Sequence, residues 1–408
     1  MSFYRGCWER SEDRYGVLLV MGSALVGYFS LTSGARWPVL MLSVPVLWTL
    51  APSRTAAFWV AFAYTLAVSR GLAPGAAVFL SETHTAADGI VLWILMSLGP
   101  SVPFLVFWHG GRLGKCLGFL AANLAAFLLP PLALVGIMAP WMGTGCLFPG
   151  WGWWGLLALM GIYFACALFR PFACGFLLLL LLLGCLGWAE LKPPTLPEGF
   201  MAVDTSFGRM GSGSFDFRND FERARMVFRR LNELNVASSD AEYVVLPETI
   251  AGRLNATGLA LWHRELRPLL RSGQKVLLGA ELPTEDGRRY DNVVLLLGDD
   301  AVLSVRQRIP VPYSMYRPFS GTGANLHLFD EPSGILRLPD GRKAAAIVCY
   351  EGHLSLPCLL SFLHSPDLLL WVGNQWWCRD TSLPLIQEHS MGLWAQLFGV
   401  PVAASQNR

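Results

Sequence analysis

The sequence predicts a two-part protein: an α-helical transmembrane bundle of about seven spans, then an α/β domain of stacked layers. Three observations carry this. Hydrophobic residues make up 53% of the 408 positions and charged residues 15%, against about 25% charged in an average soluble domain. Ionisable side chains are few from 16 to 189 and occur throughout from 204 onward. Beyond that change, short apolar runs rich in β-branched residues alternate with helical segments, which is the pattern of buried strands and their crossovers. The boundaries that follow are a transmembrane helical domain over 1–190, a linker over 191–215 and an α/β domain over 216–408.

A bilayer span takes about 20 mostly apolar residues. Spans are expected at 17–31, 37–50, 55–68, 89–108, 116–138, 150–168 and 172–189. Pro38, Pro45 and the Pro130-Pro131 pair kink or break helices there, because each proline removes a donor. A cleaved signal peptide is the other reading of the first span, but further apolar spans follow at once and no small-residue cleavage site stands after it. The leucine run at 177–183 also fits a soluble core helix; Trp153, Trp154 and Trp188 beside it fit interfacial anchors better. Asn123 and His109 read as packing or interface residues.

Positive residues of short loops are retained on the cytoplasmic side. With the N-terminus inside, Arg5, Arg10, Arg14, Arg54, Arg112, Lys115 and Arg170 are cytoplasmic, while Arg36, Arg70, Glu82 and Asp88 are outside. An odd number of spans then delivers the α/β domain to the periplasmic face of a bacterial inner membrane. The net charge is +2 and no long basic run occurs, so no direct nucleic-acid binding is expected. Of nine cysteines, Cys7, Cys116, Cys146, Cys166, Cys174 and Cys185 belong to the apolar half as small hydrophobes. Three others, Cys349, Cys358 and Cys378, make no disulfide framework.

In the polar half, the glycine- and serine-rich stretch 208–214 lacks the lysine-serine or lysine-threonine pair of a phosphate loop and reads as a flexible connection. Phe221, Ala224, Val227, Phe228 and Leu231 then recur at helical spacing over 219–234. Strands are expected at 243–246, 275–280, 292–297, 344–348 and 368–372.

Two of these strands end in chemistry. Glu248 follows Val-Val-Leu-Pro, and Cys349 follows Ala-Ile-Val. In α/β sheets side chains converge beyond strand C-termini, and a carboxylate that removes the proton of a thiol makes it a nucleophile. Either residue alone reads as core filler or turn; the two together raise the enzymatic reading.

These residues resemble the carbon-nitrogen hydrolase (nitrilase) superfamily. The matching motifs are Leu-Pro-Glu-Thr at 246–249, Tyr-Asp-Asn at 290–292, Val-Pro-Tyr at 311–313, Val-Cys-Tyr-Glu at 348–351 and Asn-Gln-Trp-Trp at 374–377, with the closing 387–407 segment. The resemblance is to the membrane-embedded branch: to apolipoprotein N-acyltransferase, and most closely to the TraB-type conjugal-transfer proteins. It implies a four-layer αββα sandwich, Glu248 as base, Cys349 as the acyl-carrying nucleophile, and Tyr350, Glu351, Asn292 and Trp376 in support.

The lysine that holds the oxyanion in that superfamily is replaced by Gln307, flanked by Arg306 and Arg308, and a second carboxylate by Met315. The site is therefore expected from Cys349, Glu248, Gln307 and Arg308. Neither arginine reaches the pocket of Gln307 without a bulge, since neighbours on an extended chain face opposite ways. Losing one oxyanion donor costs about 10²-fold or more in rate.

Three functions remain open on the sequence. One is thiol acyl transfer or hydrolysis within a conjugal-transfer protein, with membrane lipid as acyl donor and an apolar loop of Tyr313, Met315, Tyr316 and Phe319, together with the 354–362 segment, admitting a lipid chain. Another is an assembly factor of the transfer machinery whose chemistry has decayed, and the last is an apolipoprotein N-acyltransferase. A metal site at Cys349, His353, Cys358 and His364 departs from ligand-pair spacing, so neither metal nor cofactor is expected. His389 reads as a hydrogen-bonded histidine, and Trp377 as core or pocket lining.

Overall fold

The computed structural model describes residues 2–79, 85–209, 217–298, 302–329 and 334–408, with side chains from residue 14 onward except that of Phe217. Glu82, residues 210–214 of the glycine- and serine-rich stretch and the side chains of Arg5, Cys7 and Arg10 lie outside the described residues. The chain forms two compact units. One comprises Met1–Pro193, His353–Leu356 and Asp380–Gly399; the other comprises Pro194–Gly352, Pro357–Arg379 and Val400–Arg408.

The first unit is helical. It contains α1 (Ser2–Phe29), α2 (Ser43–Leu50), α3 (Arg54–Val68), α4 (Leu72–Phe79), α5 (Ala86–Val106), α6 (Arg112–Phe127), α7 (Thr144–Leu147), α8 (Trp153–Leu168) and α9 (Arg170–Leu186). Among the described residues α5 alone is long and apolar enough to cross a bilayer by itself; α3 and α4 qualify together but bend by 53° at their junction. Shorter apolar helical stretches run over Arg14–Phe29, Pro38–Leu50, Trp153–Leu168 and Arg170–Leu186. The helix expected across 116–138 stops at Phe127, ahead of Pro130-Pro131, and resumes only as a 3-10 turn at Leu132–Leu134. Prolines deprive a helix of donors and clash with the preceding turn, which accounts for the break.

Several polar side chains inside this unit are paired. Thr65 and Ser101 share a hydroxyl bond of 3.1 Å, as do Ser69 and Ser97. Asn123 donates back to the Phe119 carbonyl at 2.8 Å, and His109 is exposed. Later sequence returns here: Met138 N–H donates to His353 O at 2.9 Å, and Trp141 Nε1 donates to Ser355 Oγ at 3.1 Å. On α13 (Leu383–Phe398), His389 Nδ1 lies 2.8 Å from Leu31 O and Gln396 Nε2 donates to Gly145 O at 3.0 Å.

The second unit holds two sheets. The first runs in the order β1 (Phe200–Ala202), β2 (Tyr243–Val245), β3 (Lys275–Pro283), β4 (Arg289–Leu297), β5 (Val302–Arg306), with β6 (Gly323–Ala324) added to β4. The second runs β10 (Val402–Asn407), β9 (Leu368–Asn374), β8 (Lys343–Val348), β7 (Ile335–Arg337). Strands β1 to β3 are mutually parallel, as are β8 to β10. The five strands expected from the sequence are present. β1 falls inside the stretch offered as a linker, where Pro193, Pro194 and Pro197 mask a strand of only three residues.

Alternate residues of the same strands serve two cores, which is why the runs read as continuously apolar. Val244, Val276, Leu278, Val293 and Leu295 pack under α10 (Phe217–Glu233) and α11 (Ala256–Arg271), meeting Ala224, Val227, Leu231, Trp262 and Leu266. Tyr243, Val245, Leu277, Val294 and Leu296 face the other sheet and meet Ala344, Ala346, Val348, Leu368 and Leu370. Parallel neighbours need a crossover, and α12 (Ser355–Phe362) lies in the connection from β8 to β9. The layers shown by these cores are helices, sheet and sheet.

Candidate active site

The site forms where β2, β8, β9 and β10 end together. Two of these ends turn sharply through the left-handed region: Thr249, one residue past Glu248, has φ of 50°, and Cys349 has φ of 49°. Non-glycine residues adopt that conformation at a cost of about 1–3 kcal/mol and persist in it only where surroundings enforce it. Cys349 opens a 3-10 turn directly from β8, so its thiol leaves the strand at a fixed angle.

The glutamate turn rests on β3 at a glycine. A Cβ on Gly279 would collide with Pro247 O and come within 2.6 Å of Glu248 Cα and 2.7 Å of Thr249 N. Gly279→Ala is expected to cost about 1–3 kcal/mol by overpacking and to displace Glu248. Chemical denaturation should show the loss, and slower alkylation of Cys349 the displacement; a wild-type alkylation rate would refute the displacement.

Glu248, Asn292, Gln307 and Cys349 converge in the second unit. Glu248 is 3% exposed and Cys349 8%. Asn292 spends both amide hydrogens there, one on Glu248 Oε1 at 2.6 Å and one on Gln307 Oε1 at 2.9 Å. Gln307 Nε2 in turn donates to Val348 O at 3.0 Å, the residue before the thiol. The Cys349 thiol bonds to the Glu248 carboxyl, and the Asn374 main-chain N–H donates to both. Burial pushes Glu248 up to about 7, against the pull of its bonds to Cys349 and Asn292. Burial and then the Glu248 charge push Cys349 well above the ordinary thiol range. At rest this is a carboxyl poised near neutrality against a protonated thiol, and one proton moving between them makes the nucleophile.

Arg308, expected among the catalytic groups, is turned the other way along the chain. Its Nη1 donates to Pro357 O and Ser361 Oγ, each at 2.8 Å, and its Nη2 to Ala346 O at 3.2 Å. Its Nε lies 3.5 Å from Glu351 Oε1. Glu351 is fully buried and straps the 308–309 segment to the end of β8: Oε1 accepts from Arg308 N at 2.6 Å and Ile309 N at 3.0 Å, and Oε2 from Val348 N at 2.9 Å. Arg306 sits 3.1 Å from Asp291 and is half exposed.

Tyr350 is buried, and Trp376 lies 5.4 Å beneath the guanidinium of Arg209. Met315 lies in a turn, where its N–H donates to Val311 O and its carbonyl accepts from Ala324 N. Cys349, His353, Cys358 and His364 are not gathered as ligands, and no group of three or more His, Cys, Asp or Glu that could hold a metal occurs among the described residues. Sequence reasoning passed over Thr249, Gly279, Asn374 and Asn407. Thr249 and Asn374 lie inside the quoted motifs and Asn407 ends the closing 387–407 segment, whereas nothing local marks Gly279.

No family model matches the chain. A curated relative, the conjugal transfer protein TraB of Agrobacterium fabrum, is 33% identical over 433 residues, covering 100% of this chain and 96% of the relative. The probable conjugal transfer protein TraB of Sinorhizobium fredii is 33% identical over 403 residues, covering 96% and 97%. Among solved structures, an amidase from Nesterenkonia sp. shares 15% identity with a TM-score of 0.36, covering 53% of this chain and 77% of its own. The glutamine-dependent NAD+ synthetase from Acinetobacter baumannii shares 14% with a TM-score of 0.28, covering 43% and 31%. The layered fold rests on the strand pairing described above.

Proposed function

Because the chain belongs to the TraB family of conjugal-transfer proteins, we propose that it is a membrane-embedded member that carries an acyl group on Cys349. One observation supports this above the others: a thiol in a strained strand-end turn is hydrogen-bonded to a buried carboxyl whose proton affinity lies near neutrality. Glu248 takes the thiol proton as sulfur attacks the carbonyl carbon of a lipid ester. A carbon–sulfur bond forms, the ester carbon–oxygen bond breaks, and Glu248 returns the proton to the leaving alkoxide. An amine or water then attacks the thioester, giving Glu248 a proton that passes to the departing sulfur.

The embedding in the bilayer is supported by apolar side chains left uncovered on α5 and α9, among them Leu95 and Leu178, each 57% exposed. Water would not tolerate so long an apolar surface, whereas lipid does. The proposed location is the bacterial inner membrane, with residues 1–190 as the embedded part, the N-terminus cytoplasmic and the thiol site periplasmic. Reporter fusions after Glu190 that are active only in the cytoplasm would overturn that orientation.

Cys349→Ala is expected to abolish a lipid-derived adduct detected at that residue by mass spectrometry, and to lower conjugation frequency about tenfold or more. A folded variant with unchanged transfer would favour the second reading, an assembly factor with decayed chemistry. The observation on that side is Gln307, a neutral amide bonded to Asn292 and Val348 O where the resembled superfamily has a cation.

A further inference from the structure

Strands β9 and β10 end side by side, with Asn374 opposite Asn407 and Gln375 N–H donating to Asn407 O at 2.7 Å. Their side chains form a ladder across the site. Asn407 Nδ2 donates to Asn374 Oδ1 at 2.8 Å, and Asn374 Nδ2 donates to Thr249 Oγ1 at 2.9 Å. At its far end Asn407 is saturated: Oδ1 accepts from Thr205 Oγ1 at 2.8 Å and Phe207 N at 3.0 Å, and Nδ2 also donates to Gly208 O at 2.9 Å. Asn407 is fully buried. A buried amide left without partners is costly, and a satisfied network of such amides is rigid.

The ladder ends on Thr249, the left-handed residue that aims Glu248, and it immobilises Asn374, whose main-chain N–H meets both reacting groups. We infer that Asn374 is a positioning residue, anchored by Asn407 and Thr249, that holds the base and the nucleophile in register. This rests on the thiol chemistry proposed above. The groups that face the thiol are Glu248, Asn374 and Cys378, while Asn292 and, farther off, Glu281 act on Glu248.

The test is the pH profile of iodoacetamide labelling at Cys349, read peptide by peptide on the full chain in nanodiscs, with free glutathione in the same reaction as the control for the reagent. Losing the N–H bond to sulfur makes the thiolate harder to form. Asn374→Ala and Asn407→Ala are therefore expected to move the inflection to higher pH and to slow labelling near neutrality about tenfold. Thr249→Val should do the same and carries the test where an asparagine variant fails to fold, while Thr249→Ser should keep the wild-type profile. Folded Asn374→Ala and Thr249→Val proteins with the wild-type inflection would overturn the inference. A wild-type protein that never takes label at Cys349, while the reagent consumes the glutathione control, would overturn the thiol chemistry itself, and this inference with it.

Discussion

Glu351→Ala is expected to destabilise the second unit by about 3–5 kcal/mol, the usual cost of removing one member of a buried ion pair. The partner left behind is Arg308, whose side chain is 2% exposed and cannot reach water. Three main-chain donors, on Val348, Arg308 and Ile309, lose their acceptor in the same step. Each buried N–H left unmade adds roughly 1–3 kcal/mol before relaxation. Glu351→Gln keeps one oxygen as acceptor and should lose less. Urea unfolding measures the difference, and faster hydrogen exchange at Val348 and Ile309 locates it. A loss below about 1 kcal/mol would mean that the strap holds nothing.

The double variant Glu351→Leu with Arg308→Met removes the uncompensated charge and should recover only that part of the loss, because the main-chain donors of Val348, Arg308 and Ile309 still lack their acceptor. The cysteine turn would then be free of its strap. What the ion pair contributes, on this view, is the angle at which Cys349 leaves β8 rather than net stability.

How much of this was legible in the sequence follows from where each signal resides. Strands β2, β3, β4, β8 and β9 bury both faces, so their apolar runs stand out. By contrast β5 is exposed at four of its five positions, β7 has three residues, and β10 reads Val-Ala-Ala-Ser-Gln-Asn, small and polar where it packs. α13 is an ordinary apolar helix in composition, and nothing in its residues tells that it belongs with the first unit.

The same distinction holds for the site. Cys349 and Glu248 announce themselves because a reactive side chain follows an apolar strand. Asn374 and Asn407 lie 33 residues apart and meet only through strand register, which no local pattern encodes. Sequence reasoning places Arg308 with the site although alternation along the chain already argues against a pocket shared with Gln307, and that alternation is what sends its side chain to Glu351.

Gln307→Lys is expected to make Cys349 the more reactive thiol. An ammonium in that slot would find acceptors already in place: Glu248, and Asn292 Oδ1, a buried oxygen that has no donor among the described residues. A cation within about 4–6 Å lowers the proton affinity of acids by about 1–3 units. Below the thiol's own titration point the thiolate fraction grows tenfold per unit, so labelling near neutral pH should rise by about 10 to 10³. Opposing this is the desolvation of a lysine at a position 1% exposed, several kcal/mol that pairing with ionised Glu248 offsets. Labelling that stays at the wild-type rate in a folded variant would show that missing charge is not what holds the thiol protonated. Labelling that rises while conjugation frequency stays the same would separate reactivity from function: the thiol would then be intact chemistry that the transfer apparatus does not use. A rise in both would make Gln307 a brake on a working nucleophile, with the Asn292–Gln307 amide pair as the part that sets its pace.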